Sequence, residues 1–279
     1  MLTKFKWLTF VFCICAVSSI SFYQIPKFFA SYRQKQSAQT YASIIIESNS
    51  IEDVLDYAQD QQTIVAFDLD NTLVHPGQDL GSDQWFSHLF KEKLDSGISR
   101  PQALTEILPL YYKIHDHISL QPVEQASLTV LSTLHQKGII SLALTTRSLP
   151  MVQRTCIQLK EAGFSFVQSD SFNRELTIQL EKPALLINGI IFCNDNNKGQ
   201  TLIKTLQACS CKPNTIICVD DKLSHLLDVQ KECVLNKIHF IGIRYGRQDS
   251  VVAQFDAVRA ENECMALFGQ NYTTLAATA

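Results

Sequence analysis

The chain has 279 residues, of which 46% are hydrophobic and 18% are charged, and its formal net charge at pH 7 is −3. This composition is typical of a globular protein with a substantial core, and the length allows one large domain or two small ones. The sequence has no block of basic residues, so we exclude a basic nucleic-acid surface and expect no nucleic-acid partner.

The first 23 residues differ in character from the rest of the chain. Lys4 and Lys6 precede an apolar run, and no charged residue occurs from Trp7 through Pro26. A positive segment followed by an apolar one is typical of an export signal, so we predict a signal peptide over residues 1–23. The alternative is an uncleaved anchor, because twenty uncharged residues at 7–26 are just long enough to span a bilayer. We expect an exported protein, periplasmic or secreted, or one anchored to the membrane by its N-terminus.

The cysteines leave their pairing open. Two of the nine lie in the leader, and the seven that remain are an odd number. Export would permit disulfides. Cys209 and Cys211 are too close in sequence to bridge each other well, and pairing with Cys233 or Cys264 stays an open alternative.

The next segments lead from a linker to a first strand and a helical insert. Residues 24–60 are predicted to be a linker and an N-terminal helix, since Ser50 with Asp53 three residues later forms an N-cap pattern. The apolar run at 63–67 is typical of a buried strand. Apolar residues then recur every three to four positions from 75 to 122, which predicts a small helical cap insert at about 76–122.

Strands and helices alternate through the rest of the chain. We predict strands at 139–144, 164–167, 215–219 and 238–243, a hairpin at 184–193 that turns at Asn188-Gly189, and helices at about 124–137, 150–162, 200–209, 223–233 and 251–268. This alternation predicts an α/β domain with a doubly wound parallel sheet over residues 61–270, and a tail at 271–279.

Two acidic residues follow the first strand. Asp68 and Asp70 lie on the same side of the chain if it stays extended, because side chains in a strand alternate. Carboxylates so close repel each other unless a cation lies between them, and Mg²⁺ is the divalent ion that prefers such oxygen ligands. The carboxyl end of a strand is also where open α/β sheets bind ligands. The alternative is a strand followed by a turn that Asp and Asn side chains cap.

Three later positions also carry polar groups at strand ends or helix starts. Thr145 ends the second strand and Lys198 opens a helix, where a positive charge opposes the helix dipole. Asp220-Asp221 follow another apolar strand. Each has a structural alternative: a local cap, an exposed loop lysine, or a cap on the following helix. Arg147 is either a phosphate-binding fork or a surface residue.

These pieces together resemble a known family. The stretch Asp68-Leu69-Asp70-Asn71-Thr72-Leu73 resembles the DxDxT signature of the haloacid dehalogenase-like (HAD) superfamily, and the later pieces follow in that superfamily's order over residues 60–245. The stretches at 189–192, 197–199 and 219–222 further resemble a little-characterised group of exported bacterial proteins within it, of the DUF2608 type. The resemblance implies a HAD-like, Rossmannoid sheet with a small helical cap insert.

The resemblance also implies an activity, the Mg²⁺-dependent hydrolysis of a small-molecule phosphomonoester through an aspartyl-phosphate. Asp68 would be the nucleophile and Asp70 the general acid and base, while Thr145, with Thr146 as the competing assignment, and Lys198 would bind the phosphoryl group.

For the metal, the resemblance implies that Asp68, the carbonyl oxygen of Asp70 and Asp221 hold Mg²⁺, with Asp220 as the nearby support. Two alternatives stay open for the function. One is a catalytically silent exported binding protein with the same fold, and the other is a phosphotransferase or phosphoprotein phosphatase.

Overall fold

The structure is a computed structural model that describes residues 42–166 and 170–269. The predicted leader, the polar linker before residue 42, Val167 and the tail at 271–279 lie outside the described residues. All of the described residues belong to one compact unit.

Ten strands are present in the described residues: β1 Ser43–Ser48, β2 Thr63–Phe67, β3 Val74–His75, β4 Gln121–Pro122, β5 Ile140–Thr145, β6 Glu175–Ile178, β7 Ala184–Ile187, β8 Ile190–Phe192, β9 Thr215–Asp220 and β10 His239–Tyr245. The α-helices are α1 Val54–Tyr57, α2 Asp83–Asp95, α3 Arg100–His115, α4 Ala126–Gln136, α5 Val152–Glu161, α6 Lys198–Ala208, α7 Leu223–Leu235, α8 Asp249–Ala253 and α9 Ala257–Phe268.

Eight strands form one sheet in the order β1-β10-β9-β2-β5-β8-β7-β6. The neighbouring pairs from β1 to β8 are parallel, and β7 and β6 are added antiparallel at the far end. All five residues of β2 are buried, because helices cover both faces of the sheet and two separate apolar clusters fill the space on its two sides. The predicted α/β class with a mostly parallel sheet is confirmed.

The helical insert follows β2, as the periodicity predicts, and consists of α2 and α3. Its core joins residues of both helices to α9 through a third apolar cluster, which contains Trp85, Tyr111, Ile114, Ala260 and Cys264. The insert is therefore packed against the C-terminal helix as well as against the end of the sheet.

The hairpin between β7 and β8 turns at Asn188 and Gly189, which both have positive φ, at 50° and 77°. A type I′ turn requires this conformation at both central residues, and Asn-Gly accepts it at the lowest cost. A Cβ on Gly189 would lie 2.4 Å from the carbonyl oxygen of Phe166, so the turn also depends on the missing side chain.

Several elements differ from the sequence predictions. Strand β1 lies in the stretch assigned to the linker and pairs with β10 at the sheet edge; it is only half-buried, so its pattern is weak. Strand β6 is a second edge strand that we did not predict. The strand predicted at 164–167 is wrong for residues 164–166, which have no strand structure; Phe164 and Phe166 are buried in the core instead.

The C-terminal helical pattern divides into two helices. Helix α8 ends at Ala253, and the side chain of Asp256 then caps α9 by accepting hydrogen bonds from the backbone N–H groups of Val258 and Arg259. The periodicity continues through the break, so the sequence predicts one helix where the structure has two.

Two further findings concern cysteines and membrane spans. All seven cysteines in the described residues are free thiols, four of them in one apolar cluster (Cys193, Cys209, Cys218 and Cys233). Within the part of the chain that the structure describes, no helix is both long enough and apolar enough to cross a membrane.

Candidate active site

The site lies at the carboxyl ends of β2 and β9, which are neighbouring parallel strands. Phe67 and Val219 are in register, so Asp68 and Asp220 leave the two strands at the same level. The backbone N–H of Asp68 donates to the carbonyl of Val219 at 2.9 Å, which continues the ladder into the site. Strand β5 is the other neighbour of β2, and it brings Thr145 to the same edge.

A tight turn follows Asp68. The carbonyl of Leu69 accepts from the N–H groups of Thr72, Leu73 and Val74 at 2.9–3.2 Å, and Asn71 has a φ of 61°. Asn tolerates this left-handed conformation better than most residues do. The hydroxyl of Thr72, itself fully buried, accepts from the backbone N–H of Asp221 at 3.1 Å. The Thr of the DxDxT stretch thus ties the first acidic loop to the last one.

Lys198 joins the two strands electrostatically. Its Nζ lies 2.6 Å from Oδ1 of Asp68 and 2.6 Å from Oδ2 of Asp220, and its side chain is 1% exposed. Two buried carboxylates more than offset the unfavourable helix dipole, which explains a lysine at the first position of α6. A Cβ at Gly199 would lie 2.2 Å from the carbonyl oxygen of Asp228, so glycine lets α6 approach α7 closely enough to place Lys198.

Asp220 is fully engaged by protein groups. Oδ2 bonds Lys198, while Oδ1 accepts from the backbone N–H of Lys222 at 2.9 Å and lies 3.1 Å from Nδ1 of His225. Burial alone would raise the pKa of Asp220, but Lys198 and His225 outweigh burial and bring it to about 2. Asp220 is therefore an ionised support for Lys198, with no open position for a metal.

Asp221 has the opposite character. Its Oδ1 atom is buried and has no hydrogen-bond partner among the described residues. Burial, followed by the negative charges of Asp68 and Asp220, raises the pKa of Asp221 to about 8. An orphaned carboxylate oxygen beside other acids has the chemistry of a divalent-cation ligand.

The same reasoning distinguishes two possible cation positions. Ligand atoms of Asp68, Asp220 and His225 lie within 4.8 Å of one another, but the ammonium of Lys198 already bonds both carboxylates there. The carboxylates of Asp68 and Asp221 have the donor chemistry that Mg²⁺ prefers, and both residues belong to the ligand set that the resemblance implies. The pKa of Asp68 is raised to about 6, mainly by burial and then by Asp220, with Lys198 acting against both.

Asp70 has a different partner from Asp68. Arg147 donates to both of its carboxylate oxygens, from Nε to Oδ2 at 2.9 Å and from Nη2 to Oδ1 at 2.7 Å. Burial would raise the pKa of Asp70, but the charge and hydrogen bonds of Arg147 lower it below its usual value. Thr145 is buried and accepts from the backbone N–H of Arg147 at 3.1 Å, whereas Thr146 is exposed.

One ion pair joins this site to the insert. Nζ of Lys222 lies 3.0 Å and 2.8 Å from the two carboxylate oxygens of Asp83, which is the first residue of α2. The insert therefore contacts the loop that carries Asp220 and Asp221.

Comparison with protein families gives one match over most of the chain. The model of a family described as "Protein of unknown function (DUF2608)" matches residues 47–267. The chain belongs to the DUF2608 family. This is the group that the motif stretches resemble, and the matched range contains the insert and all of the sheet except the first residues of β1.

Relatives and structural neighbours are similar at low identity. A Chlamydia pneumoniae protein described as "Putative outer membrane protein" is 26% identical over 73% of this chain and 77% of its own length. A Chlamydia trachomatis protein of the same description is 24% identical over 64% of this chain and 67% of its own. A haloacid dehalogenase-like family hydrolase from Streptococcus pneumoniae covers 70% of this chain and 98% of its own, at 16% identity and a TM-score of 0.41. A Clostridium difficile protein titled "Putative Phosphatase" has the same TM-score, at 15% identity, over 70% of this chain and 99% of its own.

The structure joins Lys198 directly to Asp68 and Asp220, and it has three contacts that the sequence analysis did not assign. These are the bond of Thr72 to Asp221, the contact of His225 with Asp220, and the fork of Arg147 on Asp70. Thr72 stands in the quoted motif, so its position was visible. The partners of His225 and Arg147 depend on which strands are neighbours, and no local pattern indicates them.

Proposed function

We propose that the chain is a Mg²⁺-dependent phosphomonoester hydrolase that forms an aspartyl-phosphate on Asp68. The observation that carries the proposal is the bridge of Lys198 between Asp68 and Asp220, with the orphaned carboxylate oxygen of Asp221 on the residue that follows Asp220. A nucleophilic carboxylate, a fixed ammonium and an unsatisfied acid at one sheet edge are the parts that phosphoryl transfer needs.

In the first step a carboxylate oxygen of Asp68 attacks phosphorus in line and forms the new O–P bond. The bond from phosphorus to the leaving oxygen breaks, and Asp70 gives that oxygen a proton. Arg147 favours the ionised form of Asp70 in the free protein. The negative charge of a bound phosphate raises the pKa of a neighbouring carboxyl and so favours the protonated form that this step uses.

In the second step a water attacks the phosphorus of the aspartyl-phosphate. Asp70, now ionised, removes a proton from that water, and the O–P bond to Asp68 breaks to release inorganic phosphate and restore the carboxylate. The ammonium of Lys198, together with the hydroxyl of Thr145, binds the charge on the phosphoryl oxygens during both steps.

The residues that would hold Mg²⁺ are Asp68, Asp221 and the backbone carbonyl of Asp70. When bound, the ion supplies a positive charge that offsets the repulsion between an anionic substrate and the acidic cluster. Asp220 keeps Lys198 in place, and Thr72 keeps the loop of Asp221 in place through its backbone N–H.

The location and partner belong to the same proposal. The leader pattern of residues 1–23 and the "outer membrane protein" wording in the descriptions of the two Chlamydia relatives support an exported protein, periplasmic or secreted, or one anchored through residues 7–26. The proposed partner is a small-molecule phosphoester; the sequence has no block of basic residues that would favour a nucleic acid.

The test is a panel of phosphomonoesters and phosphopeptides assayed with the purified protein, with Mg²⁺ or with EDTA. We expect phosphate release that EDTA abolishes, and a loss on the order of 10³-fold or more in Asp68→Asn. Asp56→Asn is the matched control, because Asp56 is an exposed acid on α1, and its activity should equal that of the wild type. Turnover of phosphopeptides alone would assign a phosphoprotein phosphatase instead. Tight ligand binding without turnover would favour the silent binding protein.

A further inference from the structure

The carboxylate of Asp70 is held in a fixed plane. Arg147 bonds both oxygens from two different nitrogens, and the Arg147 side chain is 3% exposed while that of Asp70 is 20% exposed. A two-point fork of this kind fixes the orientation of the carboxylate as well as its position. Each carboxylate oxygen has a second lone pair that does not accept from Arg147. Because the fork fixes the plane of the carboxylate, it also fixes the directions of these two free lone pairs.

Arg147 is itself fixed by helix α5. Its third nitrogen, Nη1, donates to Oγ1 of Thr155 at 3.0 Å and to Oε1 of Gln158 at 3.2 Å, and both of these residues are fully buried. The amide nitrogen of Gln158 donates in turn to the carbonyls of His115 and Ile118 at 3.2 Å and 3.1 Å. The orientation of the guanidinium is therefore set by the core helix and by the end of the insert together.

We propose that Arg147 is the positioning residue that aims Asp70 at the leaving-group oxygen, and that Thr155 and Gln158 hold Arg147 for this task. The inference rests on the proposed phosphatase function and assigns a role that the phosphatase motif residues do not cover. The affected event is the proton transfer from an Asp70 oxygen to the leaving oxygen as its bond to phosphorus breaks. Such a transfer requires hydrogen-bond distance and alignment.

The competing role for Arg147 is a phosphate-binding fork. The geometry speaks against it, because all three guanidinium nitrogens already donate to Asp70, Thr155 or Gln158. Four of its five N–H groups are used in this way, so a phosphate could accept only from the remaining N–H of Nη2, and a two-point fork on phosphate would require one of these bonds to break. Positioning and phosphate binding differ in what they predict for inhibition by inorganic phosphate, which the experiment uses.

The decisive variant is Arg147→Lys, which keeps the positive charge and loses the fork. We expect its kcat/KM to fall about 10- to 100-fold for an alkyl phosphate, whose alkoxide leaving group needs a proton. For p-nitrophenyl phosphate, whose phenolate is weakly basic, we expect a fall of less than about threefold. The inhibition constant of inorganic phosphate should stay within about twofold of the wild-type value. Thr155→Val, nearly the same in shape, should show the same selective loss at about 3- to 10-fold.

The matched control is Arg154→Lys. Arg154 lies on helix α5, as Thr155 and Gln158 do. Like Gln158 it donates to the carbonyls of His115, at 2.7 Å, and Ile118, at 2.8 Å, without a bond to Asp70. We expect both substrates to keep their wild-type ratio in this variant. If the selective loss for the alkyl phosphate occurs only in the Arg147 and Thr155 variants, it results from the positioning of Asp70 and not from a general destabilisation of the insert.

Several results would overturn the inference. An equal loss for alkyl and aryl substrates in Arg147→Lys would show a structural role, and a phosphate inhibition constant raised more than fivefold would show phosphate binding. If circular dichroism shows that Arg147→Lys does not fold, Thr155→Val decides by the same criteria. A wild-type protein that hydrolyses no phosphoester refutes the proposed function and this inference with it, whereas an active wild type with unselective variants refutes this inference alone.

Discussion

Replacing Lys198 with methionine is the sharpest test of the site's geometry. The substitution keeps a long side chain in the buried space and removes the ammonium that bonds Asp68 and Asp220, each at 2.6 Å. Asp68 is 6% exposed and Asp220 0% exposed, so water cannot take over the role of the missing cation at either one.

The expected size follows from this burial. Removing one partner of a buried ion pair leaves a charge without compensation and costs about 3–5 kcal/mol. A whole domain has a free energy of unfolding of only about 5–15 kcal/mol. We therefore expect Lys198→Met to lose about a fifth or more of the protein's free energy of unfolding, and its Tm to fall by roughly 10 °C.

The assay is urea unfolding at pH 7 in EDTA, followed by circular dichroism. Lys204→Met is the matched control, because Lys204 is an exposed lysine on the same helix, and it should change the free energy of unfolding by less than about 0.5 kcal/mol. In the double variant Lys198→Met with Asp220→Asn, one of the two uncompensated carboxylate charges is removed. The loss in free energy of unfolding should therefore be smaller than the sum of the losses in the two single variants, by about 1–3 kcal/mol.

A loss below about 1 kcal/mol in Lys198→Met, or additive effects in the double variant, would refute the reasoning. Either result would mean that Lys198 does not bridge the two acids. The carboxyl ends of β2 and β9 would then not form the cluster on which the proposed function depends.

Three further predictions concern the metal site and its scaffold. Mg²⁺ should raise the Tm of the wild type, because binding adds about 2.7 kcal/mol to the free energy of unfolding at a concentration of 100 times its Kd. EDTA should reverse this shift. Asp221→Asn should abolish it, and an equal shift in that variant would contradict the ligand assignment. Thr72→Val, which removes the acceptor for the Asp221 N–H, should raise the Kd for Mg²⁺ about 10-fold or more in the same thermal titration. Gly199→Ala, whose Cβ would lie 2.2 Å from the Asp228 carbonyl, should cost about 1–3 kcal/mol in urea unfolding, and an unchanged midpoint would show that α6 and α7 can separate freely.

Local patterns predicted the elements that carry the site. Each of the two acids Asp68 and Asp220 follows a run of buried apolar residues. Such a run indicates a strand by itself, because a fully buried strand needs apolar side chains on both faces. The Asn188-Gly189 turn was equally local, since its two positive φ angles are a property of those residues. Edge strands such as β1 were missed because they are half-exposed and their alternation is weak.

The sequence by itself determined that acids and a lysine stand at strand ends and helix starts, and that the chain alternates between strands and helices. Only the tertiary structure decided the partners: Lys198 meets Asp68 across 130 positions of sequence, and Arg147 meets Asp70 across 77. It also distinguished the two adjacent acids, since Asp220 is saturated by three protein donors while an oxygen of Asp221 has none among the described residues. The physical reason is that strand order and register set these distances, and both are decided by packing across the whole sheet rather than by any residue's neighbours in the chain.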